Sequence, residues 1–345
     1  MNASMNIQRL IGNSAVMEVG YTWNYSYNQH LTYNANYIPI GTGWPFNAKN
    51  LNPTTAGSTS ADIGSIFERT IYPGYGAITE NAMIGHANYN ALTARLQKRL
   101  SQHLVLGASY TFSKAMGTTT YTPAVPNNEE WNYGRLSTDR RHNLQVSYYY
   151  DFPNIAERNR IRYLGILTDH WTFSGITSIQ SGAPFSPGCS LTSGSPGVSG
   201  GYTGTPDVSQ RCEVIGNPLA NVPAGTYFNP AAFAMPALAT GPDNSIVGPP
   251  ALGNLGGGAG VLTYPHITNW DLTMTKNIPL GSDKRRVLRF QIQAYNAFNH
   301  SEFNATNTGV QFNPTTNAVT NATSVGLPTG TLPARVMAFT TRFEF

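Results

Sequence analysis

The chain has 345 residues, of which 40% are hydrophobic and 11% are charged, and its formal net charge is +4 with a mean hydropathy of -0.26. No run of about 18 apolar residues occurs, which excludes a transmembrane helix. The Lys and Arg residues are scattered rather than gathered on one surface, so nucleic-acid binding is not indicated. A β-barrel escapes hydropathy tests, because its membrane strands are only alternations of about ten apolar and polar residues.

The N-terminal part predicts a hairpin followed by a long connection. Met5–Leu10 is a short strand candidate, Gly12 and Asn13 form a hairpin turn, and Ser14–Asn24 alternates apolar and polar residues. From about Leu31 to Gly85 the chain is rich in Asn, Thr, Gly, Pro and Tyr. A connection of that length is uncommon in a compact soluble domain.

The next hairpin has the clearest pattern. Asn88–Leu100 and a strand that begins at Leu104 are joined by a tight turn at Ser101–His103, and the second strand alternates apolar residues with small or polar ones. Further strands are predicted at Asn143–Phe152, Trp171–Gln180, Thr268–Ile278, Leu288–Ala294 and Arg335–Phe345. Connections are predicted at 117–138, 153–168, 183–265, 280–286 and 303–332.

Long and short connections alternate along the chain, so the turns gather at one end of the predicted sheet and the long loops at the other. Outer-membrane barrels have this asymmetry, with short periplasmic turns and long extracellular loops. The sequence therefore predicts an all-β fold: an antiparallel transmembrane β-barrel, partial, with about nine strands. Because bacterial barrels normally have an even strand count, we expect further strands upstream of Met1. The alternative from the final strand alone is an edge strand of a soluble β-sandwich.

The apolar faces predict where the barrel meets lipid. The residues that we expect to face lipid in the central strands are Leu104, Leu106, Tyr110, Phe112, Leu144, Val146, Tyr148 and Tyr150. Aromatic residues near the strand ends would form girdles at the membrane interface, or else take part in ordinary sheet packing. These residues are Trp23, Tyr110, Phe112, Trp171 and Trp270.

Several stretches resemble one family of barrels. They are Asn88-Tyr-Asn-Ala-Leu92, Ala108-Ser-Tyr-Thr-Phe-Ser-Lys-Ala115, Asp139-Arg-Arg-His142, Gln180-Ser-Gly-Ala-Pro-Phe185 and Tyr295-Asn-Ala-Phe-Asn-His300. Together, and in this order, they are similar to the C-terminal half of the Oar-like, TonB-dependent-receptor-type barrels of acidobacteria. The resemblance covers most of residues 5–345. It implies a 22-stranded outer-membrane barrel with an internal plug and, often, an N-terminal carboxypeptidase-regulatory-like domain.

We expect residues 1–345 to be the C-terminal part of one barrel domain, with the plug, the energy-coupling box and the N-terminal domain absent. The resemblance implies a receptor or transporter that binds or takes up an unidentified solute at the cell outer membrane. Its partners would be outer-membrane lipid and, for the full-length form, a TonB-type energy-coupling protein. The alternatives are a structural or adhesion protein anchored by its barrel, and a soluble β-sandwich carbohydrate-binding protein.

No motif in the sequence predicts catalysis, a cofactor or a metal site. The seven histidines show no metal-ligand spacing, and no carboxylate pair or Ser/His/Asp order stands out. The cluster Asp139-Arg-Arg-His142 is a ligand or metal candidate, but charged residues at the loop end of a barrel strand more often pair across the wall. Gly253–Gly260 lacks the Lys-Ser/Thr of a phosphate loop and favours a flexible loop.

Cys189 and Cys212 are the only cysteines, and both lie in the longest predicted outside loop. In an exported protein an even pair predicts a disulfide. The bond would contribute about 3 kcal/mol by restricting the unfolded loop, which has few apolar residues of its own. Two unpaired thiols remain the alternative, since the sequence does not give the separation of their Cα atoms.

Overall fold

Nine long strands form the framework of the protein in a computed structural model. The structure describes residues 1–42, 69–99, 103–126, 128–159, 161, 164–192, 202–240, 246–248, 252–258, 260–280, 286–314 and 316–345. The strands are β1 (Asn2–Ile11), β2 (Ala15–Asn34), β3 (Thr79–Arg99), β4 (Leu104–Thr118), β5 (His142–Asp151), β6 (Trp171–Gln180), β7 (Ile267–Leu280), β8 (Arg286–Tyr295) and β9 (Val336–Glu344).

The nine strands pair in chain order, each antiparallel to the next. This arrangement confirms the predicted all-β antiparallel class. It rules out the soluble sandwich, which requires two sheets packed face to face. The described strands do not close into a ring: β1 and β9 are the two edges of the sheet.

The ladders place the predicted lipid-facing residues on one continuous face, which we call the apolar face. Leu106 pairs with Tyr148, and Val146 pairs with Thr177 on the next strand. At the far edge Phe339 pairs with Ile292 and is 72% exposed. Large apolar side chains that contact nothing in the protein are costly in water but not in hydrocarbon. The alternation read from the sequence is therefore the alternation of the folded sheet.

The second strand, β2, is longer than predicted. The expectations that the second strand ends at Asn24 and that a loop runs from Leu31 to Gly85 are wrong, because β2 continues to Asn34 and pairs with β3 from Thr79. The register shifts between Ser26 and His30. Three polar residues, Asn28, Gln29 and His30, interrupt the alternation at this bulge, so the signal of a membrane strand breaks there although the ladder continues.

Two ends of the sheet differ as predicted. At the end that we call the turn end, β1 and β2 are joined by a short turn in which Gly12 has φ +59°. Two other predicted turns, at 101–103 and 280–286, lie largely outside the described residues. The connection from β5 to β6 is more structured than the predicted turn, since it contains α2 (Ile155–Arg158) and α3 (Gly165–Thr168). None of the helices in the described ranges is long and apolar enough to cross a membrane.

The other end, which we call the loop end, carries short elements instead of bare loops. The described residues of this end include a helix, α1 (Asn128–Asn132), and a 3-10 turn (Pro230–Ala232). The short strands are Tyr133–Arg135, Pro184–Phe185, Gly188–Leu191, Glu213–Val214, Phe233–Ala234, Ala239–Thr240, Ile246–Gly248, Gly257–Gly258, Leu262–Thr263, Phe303–Thr306, Gly309–Phe312 and Pro328–Thr331.

Candidate functional site in the loop cap

The connections at the loop end pack into one structure, which we call the cap. It is built from the described parts of 35–78, 119–141, 181–266 and 296–335. Its largest hydrophobic cluster joins the third and fourth of these connections. The buried members of this cluster are Phe185, Cys212, Phe228, Ala232, Phe233, Met235, Leu255, Leu262, Val310, Phe312 and Val325. A second cluster of Ala124, Val125 and Val208, packed against Tyr37, joins the other two connections to the third.

The cap corrects one expectation about the longest loop. The sequence suggested a segment with few apolar residues to hold it in place, yet Phe228 of this loop is fully buried, in the same cluster as Phe312 of the fourth connection. A few aromatic residues, spaced far apart along the chain, suffice because each buries a large area once the loops meet. Most of the buried hydrophobic residues of the described chain lie in these connections, since the long strands face lipid or water instead of a core.

A disulfide joins Cys189 to Cys212 inside the cap, with a Cα–Cα distance of 5.2 Å. Gly188–Leu191, which contains Cys189, also pairs in parallel with Gly309–Phe312. The strand Gly188–Leu191 thus connects the third and fourth connections. The disulfide links this strand to the buried cluster around Cys212. Closing 23 residues in this way is worth about 3 kcal/mol on the chain-entropy account.

A buried ion pair ties the first connection to the third. Arg69 Nη1 lies 3.1 Å from Asp207 Oδ2, and the two side chains are only 5% and 15% exposed. Asp207 also accepts hydrogen bonds from the backbone N–H of Ile38 at 2.7 Å and from Asn34 Nδ2 at 3.0 Å. A carboxylate with this many donors compensates the desolvation of the pair, and losing it would leave a buried cation.

A cavity of about 320 Å³ opens in the cap beside Trp131 and Arg211. The Arg211 guanidinium lies 3.4 Å from the centre of the Trp131 ring, and Nη2 donates to Asn132 Oδ1 at 3.2 Å. Burial lowers the pKa of Arg211 to about 10, so it stays charged at neutral pH. A second cavity of similar volume shares Trp131, Arg211 and Leu255. The stacked pair of Trp131 and Arg211 thus lies between the two cavities.

Two polar atoms near this cavity are buried without a hydrogen-bond partner among the described residues: Trp131 Nε1 and Ser186 Oγ. Both residues line the larger cavity. A buried donor without an acceptor costs about 1–3 kcal/mol, which a ligand with suitable acceptors would recover. These residues have no local sequence signal, because Trp131 and Ser186 lie in different loops that only the folded cap brings together.

The glycine-rich stretch is packed, so the expectation of a flexible loop at Gly253–Gly260 is wrong for its described residues. A Cβ at Gly253 would lie 2.2 Å from the carbonyl oxygen of Arg211, and one at Gly257 would lie 2.5 Å from that of Trp131. Gly257 also pairs with Gly134. The absence of side chains lets this backbone pass close to the Trp131–Arg211 pair, which a mobile loop would not require.

The Asp139-Arg-Arg-His142 cluster makes structural contacts at the start of β5. Asp139 is 1% exposed; its Oδ2 accepts from Arg135 Nε at 2.8 Å and its Oδ1 from the Ala115 N–H at 2.8 Å. His142 Nδ1 lies 2.8 Å from the Tyr110 hydroxyl. These contacts join β4, β5 and the loop between them. Across the described residues no group of three His, Cys, Asp or Glu side chains is placed to hold a metal ion.

The aromatic residues predicted as girdles all lie on the apolar face. Trp171 is at the turn end, where its Nε1 donates to the Leu167 carbonyl at 2.7 Å. Trp270 packs edge-on against Phe298, with ring centroids 5.5 Å apart. Their depth in a bilayer stays a prediction.

The family model of the outer membrane beta barrel domain matches residues 1–338. The chain belongs to this family. Its place in the cell is therefore the outer membrane, and its apolar face meets membrane lipid. No curated protein sequence matches the chain.

Among solved structures the chain is similar to the outer membrane transporter YddB from Escherichia coli, with 8% sequence identity and a TM-score of 0.39. The alignment covers 98% of this chain and 31% of that transporter. The chain thus spans about a third of the length of that protein.

Proposed function

We propose that this outer-membrane barrel is the C-terminal part of a TonB-dependent-type receptor, and that its cap binds a solute for uptake. The observation that carries the proposal is the cavity beside Trp131 and Arg211, with two buried polar atoms in its wall that form no hydrogen bond to any residue the structure describes. A cap that served only to cover an anchor would gain from satisfying those atoms within the protein. The role is binding and gating rather than catalysis.

The expected solute is polar and carries acceptor oxygens. Trp131 Nε1 can only donate, and the Arg211 guanidinium adds positive charge at the same wall. The two unpaired sheet edges of β1 and β9 support further strands in the full-length protein, since a closed barrel leaves no edge.

The rival is an adhesion or structural protein, and energy coupling separates the two. Cells would carry the full-length protein, the same protein without its energy-coupling box, or no protein, and growth would be compared on single nutrient sources. The receptor predicts one nutrient on which losing the box is as harmful as losing the protein. If deletion of the energy-coupling box changes growth on no nutrient, and removal of residues 202–240 abolishes surface attachment, the adhesion or structural hypothesis is correct.

The cavity has its own test. Outer-membrane vesicles with the full-length protein would be incubated with spent growth medium, and retained solutes identified by mass spectrometry. Gly188→Val should lower retention, because Gly188 lines the cavity and a Cβ there meets nothing within 4 Å, so the added side chain occupies cavity space. Gly76→Val is the matched control, since a Cβ at Gly76 also meets nothing within 4 Å and Gly76 does not line this cavity. Equal retention by both variants would remove the cavity from the proposal.

A further inference from the structure

The connection between β5 and β6 is a built structure rather than a simple turn. The Asp169 carboxylate accepts hydrogen bonds from the N–H groups of Ala156 and Glu157 at 2.9 and 2.7 Å, and thereby joins α2 to α3. The Asn154 side chain accepts from the N–H of His170 at 2.9 Å. Lys276 of β7 donates to the carbonyl oxygen of Asp169. The polar groups at the base of this segment are therefore satisfied internally. We call its described residues, 152–159, 161 and 164–170, the foot.

The outer surface of the foot is apolar. Leu167 is 70% exposed, Ile166 is 59% exposed and Ile155 is 57% exposed. A segment made only to connect two strands would place polar residues there, because exposed branched aliphatic side chains gain nothing from water. The pattern instead is that of an element whose apolar side lies in a membrane interface.

The apolar surface of the foot continues into the lipid-facing sheet. A groove of about 290 Å³ is lined by Phe152, Pro153, Ile155, Thr168, Trp171 and Met274. Trp171 and Met274 belong to the apolar face, since Met274 pairs with Phe173 and Trp171 with Lys276. The groove is thus open on the side where the barrel already meets lipid, and a lipid chain can occupy it without leaving the membrane.

Charge at the same end favours an anionic lipid. The apolar face carries Arg9, Lys98 and Arg286 close to the turn end, and Arg158 is exposed on α2 next to the acidic Glu157. On the turn side of the bulge, no Asp or Glu lies on this face of the nine described strands. Each basic residue near an anionic membrane surface contributes about 1 kcal/mol of attraction, or about fivefold in affinity.

We propose that the foot is inserted in the periplasmic leaflet of the outer membrane, where its groove holds an acyl chain of an anionic phospholipid and Arg158 contacts the headgroup phosphate. The proposal is independent of transport, since it requires only the outer-membrane location and a turn end that faces the periplasm. It gives the foot a purpose that a short turn would not serve: a fixed contact with one leaflet beside β6 and β7.

The test uses the full-length protein in vesicles of phosphatidylethanolamine and phosphatidylglycerol. Leu167→Cys is labelled with an environment-sensitive fluorophore under non-reducing conditions, and lipids brominated on the acyl chain serve as quenchers. The label should be quenched several-fold more than one on Leu219→Cys, a leucine that is 66% exposed but lies in the cap. Equal quenching at the two sites, or quenching only by aqueous iodide, overturns the proposal.

Lipid selectivity tests the headgroup contact. Arg158→Gln should lower the ratio of bound phosphatidylglycerol to phosphatidylethanolamine about fivefold at low salt, as measured by mass spectrometry of co-purified lipid. Arg335→Gln, at an exposed loop-end arginine, should leave that ratio unchanged. An unchanged ratio in Arg158→Gln refutes the headgroup contact. A protein that protects Leu167→Cys in cells, with no quenching in vesicles, would show a protein-docking site instead.

Discussion

Replacing Val146 by Arg should destabilise the barrel, because the new charge would lie in hydrocarbon. Val146 is on the apolar face between Ala108 of β4 and Thr177 of β6. It lies four residues beyond His142, the first residue of β5. With about 3.3 Å per residue and a strand tilt of about 40°, Val146 is about 10 Å deep in an apolar band about 25 Å tall. It is therefore close to the midplane.

The expected loss in free energy of unfolding for Val146→Arg is about 2–4 kcal/mol. The neighbouring Ser147 provides the matched control, because it lies on the opposite face, is exposed, and has Gly107 as its ladder partner. Ser147→Arg should cost less than about 1 kcal/mol, since its charge stays in water. Urea unfolding of the full-length protein in vesicles measures both. Equal losses, or a larger loss in Ser147→Arg, would refute the assignment of the two faces.

Asp207→Asn should lower the free energy of unfolding of the cap by about 3 kcal/mol, because its buried arginine partner loses its counter-charge. The control Glu344→Gln, in an exposed pair, should lower it by less than about 1 kcal/mol. Similar losses for the two variants in denaturant titrations would contradict the burial argument. Non-reduced peptide mapping of protein from the cell envelope should recover a peptide pair linked through Cys189 and Cys212, and two freely alkylated thiols would exclude the bond. A membrane-impermeant thiol reagent added to intact cells should label Leu219→Cys but no cysteine placed in the foot; the reverse result would invert the topology.

The alternation of apolar and polar residues was enough to predict the β-class, the nine strands and the common face. In β6 the predicted and observed limits agree at Trp171 and Gln180. The reason is physical: a membrane strand has lipid on one side and water on the other, so each residue carries the mark of its own surroundings. In β2 three consecutive polar residues, Asn28, Gln29 and His30, interrupt that alternation at the bulge, and the prediction stopped before the observed end of the strand at Asn34.

The cap and the foot depended on tertiary structure. The Arg69–Asp207 pair and the Trp131–Arg211 stack each join residues of different loops, and no spacing along the chain announces such contacts. Hydrophobic periodicity shows which face of a single strand or helix is apolar. A site made by several loops depends instead on which loops contact each other in the fold. The sequence by itself determined the wall of the barrel, because each strand has lipid on one side and water on the other and therefore carries its own apolar and polar pattern. Only the tertiary structure decided what the loops build, because their few buried aromatic residues acquire a core when all four connections pack together.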